Sequence, residues 1–219
     1  NPPIFEDIEC EPELIDIKFI SEPWDCGGLY KLGDFPSKNT FTWNGHFRDD
    51  LRRFWKGDKD TAWNMSDKIK GTPSIYKKDN IFPKSINFIT SHDGFTLKDL
   101  VTFNRKHNFA NREQNRDGDN HNNSWNHGTE GPTTNLLIND LRKRQQKNLI
   151  LSLFISKGVP MILMGDEIGR SQGGNNNSWC QNNLLGWMNW EHGQQDLELL
   201  EYFKYVIKIR KKLINIFNP

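Results

Sequence analysis

Ile86-Asn-Phe-Ile-Thr-Ser-His-Asp-Gly94 is an apolar, β-branched run that ends abruptly in a histidine, an aspartate and a glycine. It reads as a buried strand whose polar chemistry begins where the strand stops. Upstream, Leu14-Ile-Asp-Ile-Lys-Phe-Ile-Ser21 repeats the pattern and runs into Glu22-Pro23, with proline closing the strand. Thr40-Phe-Thr-Trp43 is a third extended stretch, and Met161-Ile-Leu-Met164 a fourth, followed by Gly165-Asp166-Glu167. Between them lie helical patterns. Asn44 is placed to cap a helix over 45–56 in which Phe47, Leu51, Phe54 and Trp55 share a face, and Gly57 stops it. Asp140 can cap a second helix through about Ser156, with Gly158 and Pro160 ending it, and an amphipathic helix runs from about Asp196 to Leu213 on Leu199, Leu200, Phe203, Val206 and Ile207.

Strand and helix therefore alternate, and three strand ends carry carboxylates: Glu22, Asp93, and the pair Asp166 with Glu167. Alternation predicts an α/β fold with a parallel sheet covered by helices. Acids at several strand ends favour a (β/α)8 TIM barrel, whose chemistry lies at the C-terminal face, over a doubly wound sheet. Only about four β/α units can be counted, so a partial barrel, its last four units, is expected across residues 1–219. Two long polar loops, at about 104–139 and 171–195, interrupt the alternation. Loops of this length in a compact domain are functional or disordered, and Arg112, Arg116, Trp125 and His127 favour function in the first.

Composition narrows the classes. The 219 residues carry 29 Lys+Arg against 28 Asp+Glu, which gives no basic excess for nucleic acid and no acidic solvating tail. No run approaches the ~20 apolar residues of a membrane helix. Three cysteines, Cys10, Cys26 and Cys180, are odd in number and widely spaced, suiting free thiols in a reducing compartment such as cytoplasm or plastid. There is no phosphate-cradling glycine motif. The run Asp117-Gly-Asp-Asn-His-Asn122 offers oxygen ligands but not EF-hand spacing, so no metal is expected. Aromatic residues make up 12% of the chain, eight of them Trp, set among polar neighbours. That mixture suits a sugar, which presents C–H faces for stacking and hydroxyls for amides, acids and histidine.

The motifs themselves are specific. Ile20-Ser-Glu-Pro-Trp-Asp25 and Ile89-Thr-Ser-His-Asp-Gly-Phe-Thr96 resemble two signature regions of glycoside hydrolase family thirteen, the α-amylase superfamily, in its isoamylase-type debranching branch. The resemblance continues, in order, through Trp43-Asn-Gly-His-Phe-Arg-Asp-Asp-Leu-Arg-Arg-Phe-Trp55, Asn115-Arg-Asp-Gly118, Gly158-Val-Pro-Met-Ile-Leu-Met-Gly-Asp-Glu167 and Gly174-Asn-Asn-Asn-Ser-Trp-Cys-Gln181. It implies hydrolysis of α-1,6 branch linkages in a branched α-glucan, with retention and without a cofactor. Glu22 would be the general acid and base, kept protonated by partial burial and a neighbouring carboxylate. Asp93 would grip ring hydroxyls and stabilise the oxocarbenium-like state, with His92 on the same sugar. A retaining enzyme needs a second carboxylate about 5–5.5 Å from the acid, and the resemblance puts that nucleophile one strand upstream, ahead of residue 1. The isolated segment is then expected not to turn over.

Further substrate-binding candidates are Trp24, Asp25, Trp43, Asn44, Trp125, Asn177, Trp179 and Gln181, the tryptophans being equally placed as packing rings or sugar platforms. Trp55, on the apolar helix face, is assigned to the core. Arg52 and Arg53 read as surface partners of acids such as Asp49 and are left out of the site. Asp166 and Glu167 read as shaping the barrel mouth or binding sugar. One departure from the branch is Asn182, where an aspartate often follows Cys-Gln; an amide can bond a hydroxyl but carries no charge. A non-catalytic glucan-binding subunit of a debranching complex, and another α-glucan enzyme of the superfamily, remain open, as does assembly into homo- or hetero-oligomers.

Overall fold

The computed structural model describes residues 3–37, 39–76, 83–191 and 193–217; His192 in the second polar loop and 77–82 in the connector between the second and third strands lie outside the described residues. In chain order the elements are α1 (Pro3–Cys10), β1 (Ile20–Ser21), β2 (Phe41–Trp43), α2 (Gly45–Lys56), α3 (Ala62–Ile69), β3 (Ser85–Phe88), α4 (Leu97–Leu100), α5 (Leu136–Ile155), β4 (Val159–Met161) and α6 (Gln194–Phe217), with short 3-10 turns between them. The strands form one four-stranded sheet in the order β1-β2-β3-β4. Every pairing is parallel: Ile20 faces Phe41, Thr42 faces Ser85, and Ile86 faces Val159. The expected α/β class with a parallel sheet is present, and all four strand ends open toward the same side.

Helix α2 starts where Asn44 caps it, with Oδ1 accepting from Phe47 N at 2.9 Å, and stops at Gly57 in the left-handed region at φ 91°. Its inward face is Phe47 and Leu51, both fully buried, each contributing about 1.5–3 kcal/mol of transfer free energy. They meet Leu149, Ile150, Leu153 and Phe154 of α5 and Phe203 and Val206 of α6 in one core cluster. Trp55 packs on that cluster, as expected, and its Nε1 donates to Ser152 Oγ at 2.9 Å. The end of α5 is closed by a buried cation on α6: Arg210 donates to Phe154 O and Ser156 O at 2.8 Å each, and to Gly158 O. Terminal carbonyls that a helix cannot satisfy internally are thereby bonded.

Four element boundaries differ from expectation, each for a local reason. The first strand is only Ile20–Ser21; Pro12–Leu14 makes a 3-10 turn, and Ile15 and Ile17 are exposed. β1 is an edge strand, with β2 on one side and no paired strand among the described residues on the other, so the upstream apolar residues find no ladder. The third strand leaves its ladder after Phe88 because Arg52 of α2 takes the Ile89 carbonyl. The fourth runs over Val159–Met161 rather than 161–164, and Pro160, which has no N–H to give, is tolerated at the sheet edge. Finally, α5 begins at Leu136: Asn135 Oδ1 accepts from Leu137 N and Ile138 N, which adds a turn before the expected cap at Asp140. Among the described residues no helix is long and apolar enough to cross a membrane.

Candidate active site

The C-terminal ends of β1, β2 and β3 open on a cleft of about 690 Å³, lined by Glu22, Trp24, Trp43, His92, Asp93 and Asn177 together with Tyr30, His46, Arg48, Asp49, Asp119, Asn122 and Asn176. Glu22 follows β1 directly, before the buried Pro23. The chain then folds back on itself. Asp25 Oδ1 accepts from Gly27 N at 2.8 Å and Leu29 N at 2.9 Å, and Lys31 N donates to Pro23 O at 2.6 Å. This short loop stacks Tyr30 on Trp24, with ring centroids 5.8 Å apart and planes 9° from parallel. Trp43 meets Trp24 edge-on at 6.4 Å and His92 at 5.8 Å. A Cβ at Gly45 would stand 2.7 Å from the Tyr30 hydroxyl, so any larger residue there would push this wall aside.

His92 and Asp93 lie beyond β3, with Nε2 and Oδ2 3.6 Å apart and side chains 63% and 78% exposed. Both are free to meet a ligand. Their backbone is fixed: Ser91 Oγ donates to Asp93 O at 3.0 Å and Gly94 N donates to Asn176 O at 2.9 Å. Glu22 is exposed as well, so the expected partial burial of the acid is not found. The cause is its position at the end of an edge strand, with no paired strand among the described residues on the outer side.

Several candidates stand elsewhere. Asn44 is fully buried, and its amide is spent on Phe47 N, Thr72 Oγ1 and Ser85 Oγ, so it caps α2 and has no group left for a sugar. Asp25 pins its own loop and is absent from the cleft lining. Trp125 stacks on His127 at 4.3 Å and faces a separate small pocket above Leu149. Trp179 is 78% exposed outside the cleft, and Gln181 donates to Asn111 Oδ1 at 2.8 Å. Asn182 accepts from Trp187 Nε1 at 3.0 Å. Asp166 is no sugar ligand either: it is 3% exposed, accepting from Thr90 Oγ1 and, at 2.9 Å, from Leu97 N, and burial pushes its carboxyl up to about 7.

Sequence reasoning missed Arg48, Asp49 and Arg52. Arg48 makes a two-pronged pair with Asp49, at 2.7 and 3.1 Å, on the cleft wall. Arg52 is buried, not a surface partner. Their signal was present: positions 48, 49 and 52 share one face of a helix that begins at a strand end. The asparagines were also missed. Asn108, Asn175 and Asn176 are buried in an amide network that ties the first polar loop to the second. Lys106 anchors it, with Nζ donating to the carbonyls of Arg116, Asp117 and Gly118 at 2.7–3.1 Å. Asp117, in the run considered for a metal, accepts from Asn111 at 2.6 Å and Asn177 at 3.0 Å.

This arrangement of a four-stranded parallel sheet and its helices has counterparts in fold among pullulanases. The fold is similar to a pullulanase from Anoxybacillus sp. LM18-11 complexed with maltotetraose (TM-score 0.69, 18% identity, 96% of this chain and 29% of that one) and to the pullulanase of Bacillus acidopullulyticus (TM-score 0.66, 21% identity, 94% and 24%). By sequence, the chain is homologous to isoamylase-type and glycogen debranching proteins. It is 44% identical over 214 residues to isoamylase 1, chloroplastic, of Oryza sativa subsp. japonica (97% of this chain, 27% of that protein). To the glycogen operon protein GlgX homolog of Mycobacterium tuberculosis (strain ATCC 25618 / H37Rv) it is 45% identical over 209 residues (94% and 29%), and to the glycogen debranching enzyme of Erwinia tasmaniensis 43% over 215 residues (97% and 32%). The chain thus spans roughly three-tenths of the length of these relatives. No family model matches it.

Proposed function

We propose that this chain is part of the catalytic (β/α)8 barrel of an isoamylase-like glycoside hydrolase, contributing about its last four units and cleaving α-1,6 branch linkages of glycogen or amylopectin. The observation that carries the reading is the convergence of Glu22 and the His92–Asp93 pair on one aromatic-walled cleft at the ends of parallel strands, in a chain 44% identical to an isoamylase. Glu22 delivers a proton to the departing glycosidic oxygen and then takes one from water; Asp93 faces the developing positive charge, and His92 bonds the same ring. Trp24 and Trp43 offer ring faces to the sugar, and Asn177 an amide. The covalent step falls to a carboxylate on the strand before β1, supplied by further chain. Closing the barrel there would also cover Glu22 and give it the partial burial a proton donor needs. No cofactor enters this chemistry.

The test is Glu22→Gln in the longer protein that carries this segment. The amide keeps the shape but has no transferable proton, so release of linear chains from a branched glucan should fall by ~100-fold or more while glucan affinity stays near that of the parent. Near-normal turnover by the variant rejects the assignment.

A further inference from the structure

The 43–55 motif brings one charge into the protein that the strand-end chemistry does not use. Arg52 is 5% exposed, and its guanidinium is spent on main-chain carbonyls: Nε and Nη2 donate to Ile89 O at 2.9 and 2.5 Å, and Nη1 to Asn122 O at 3.0 Å. Burial costs this cation enough to push it down to about 9, aided by the nearby Arg48. A charge held at such expense is retained for what it holds. Ile89 and Gly94 are the two ends of a short chain of bonds that runs through Arg52, Asn122 and Asn176. Asn122 Oδ1 accepts from Asn176 Nδ2 at 2.8 Å, and Asn176 O accepts from Gly94 N at 2.9 Å. Residues 89–94, which carry His92 and Asp93, are therefore gripped before the pair by Arg52 and after it by Asn176, and the two grips are joined through Asn122.

We propose that Arg52 and Asn176 are positioning residues for Asp93, a bracket that sets where its carboxylate stands relative to Glu22 across the cleft. The proposal rests on the catalytic reading of Asp93 given above. An unbracketed loop leaves a highly exposed side chain free to drift, and a displacement of about 1 Å at a reacting group costs up to ~100-fold in rate. Arg52 and Asn176 also line the cleft, but their side-chain polar groups are spent on Ile89, Asn108, Asp119 and Asn122 rather than offered to it, so sugar binding is expected to survive the loss of the bracket.

In the longer protein, Arg52→Lys keeps the charge but cannot span Ile89 O and Asn122 O with a planar fork. Asn176→Asp keeps the shape and the backbone carbonyl but cannot donate to Asn122. Each should lower kcat on a branched glucan ~10–100-fold with KM within ~2-fold, measured well below each variant's own thermal midpoint. Both are then placed in an Asp93→Asn background, where the bracket has nothing left to position and kcat should fall by no more than ~2-fold further. Full additivity in that background, or a loss confined to KM or thermal midpoint, overturns the proposal. Near-normal kcat for Asp93→Asn alone removes instead the underlying assignment. Should Arg52→Lys fail to fold, Asn176→Asp carries the same comparison unaided.

Discussion

At the scale of single residues, asparagine and aspartate at strand ends divide by what their backbone neighbours demand. Asn44 directly follows β2 and Asp93 lies in the segment beyond the adjacent β3, yet Asn44 is consumed by helix capping and two hydroxyls while Asp93 is left open. Residue type alone could not separate them; the helix that begins at the residue after Asn44 could. Asp166 shows the same ambiguity resolved by burial, and it carries a testable pH dependence. Its carboxyl sits at about 7 in the fold, raised by burial first and by Glu167 and Asp99 after it, against 3.8 for the unperturbed group. Between about pH 4 and 7 the folded state then holds a proton that the unfolded state has released, so this residue makes stability fall as pH rises through that window. Asp166→Asn supplies an amide that donates to Thr90 Oγ1 and accepts from Leu97 N, and it should fold while flattening that fall. Urea midpoints at pH 4.5 and 7.5 check it: an unchanged difference between the two pH values in the variant rejects the buried, proton-bearing carboxyl.

At the scale of elements, what was legible followed periodicity and caps. The α2 helix was readable to the residue, because Asn44, the Phe47–Leu51 face and Gly57 all agree on its limits. The long loops were legible only as loops. Their order comes from amide and carbonyl bonds between positions some 60–70 residues apart, such as Asn108 with Asn176 and Asn111 with Gln181, and local pattern carries no record of such partners. Lys106 is the residue on which the first loop is wound, because three successive carbonyls turn toward one ammonium. Lys106→Met keeps most of the side-chain bulk and strands those carbonyls, at about 1–3 kcal/mol for each left buried without a donor. The penalty is local, since the α2, α5 and α6 core lies elsewhere. Limited proteolysis should therefore cut the variant faster within 104–123 while helical ellipticity melts at the parent's midpoint. Resistance equal to the parent's would show that the lysine does not organise the loop.

At the scale of the molecule, the sheet is unfinished in a way that its exposed residues make specific. Parallel sheets are ordinarily covered on both faces and rarely leave apolar edges bare. Here Ile15, Ile17 and Ile20 are 80%, 53% and 56% exposed beside β1, and Ile162 and Met164 are 40% and 67% exposed beyond β4 at the other edge. The sequence read as strand from Leu14 because of its alternating apolar and β-branched content, yet among the described residues only Ile20–Ser21 of it pairs. A sheet with apolar residues exposed at both edges is the arrangement that barrel closure would resolve, and under the proposed reading a strand pairing with β1 would bring a further carboxylate beside Glu22. The consequence is measurable in the backbone. In the 219-residue chain alone, amides of residues 15–19 should exchange with solvent nearly as fast as those of an unstructured peptide. In the longer protein a pairing strand should slow several of them by ~100-fold or more, together with amides at 161–164 on the opposite edge. Fast exchange at both edges of the longer protein would mean that the sheet stays open, and the nucleophile would then have to be sought somewhere other than on a strand alongside β1.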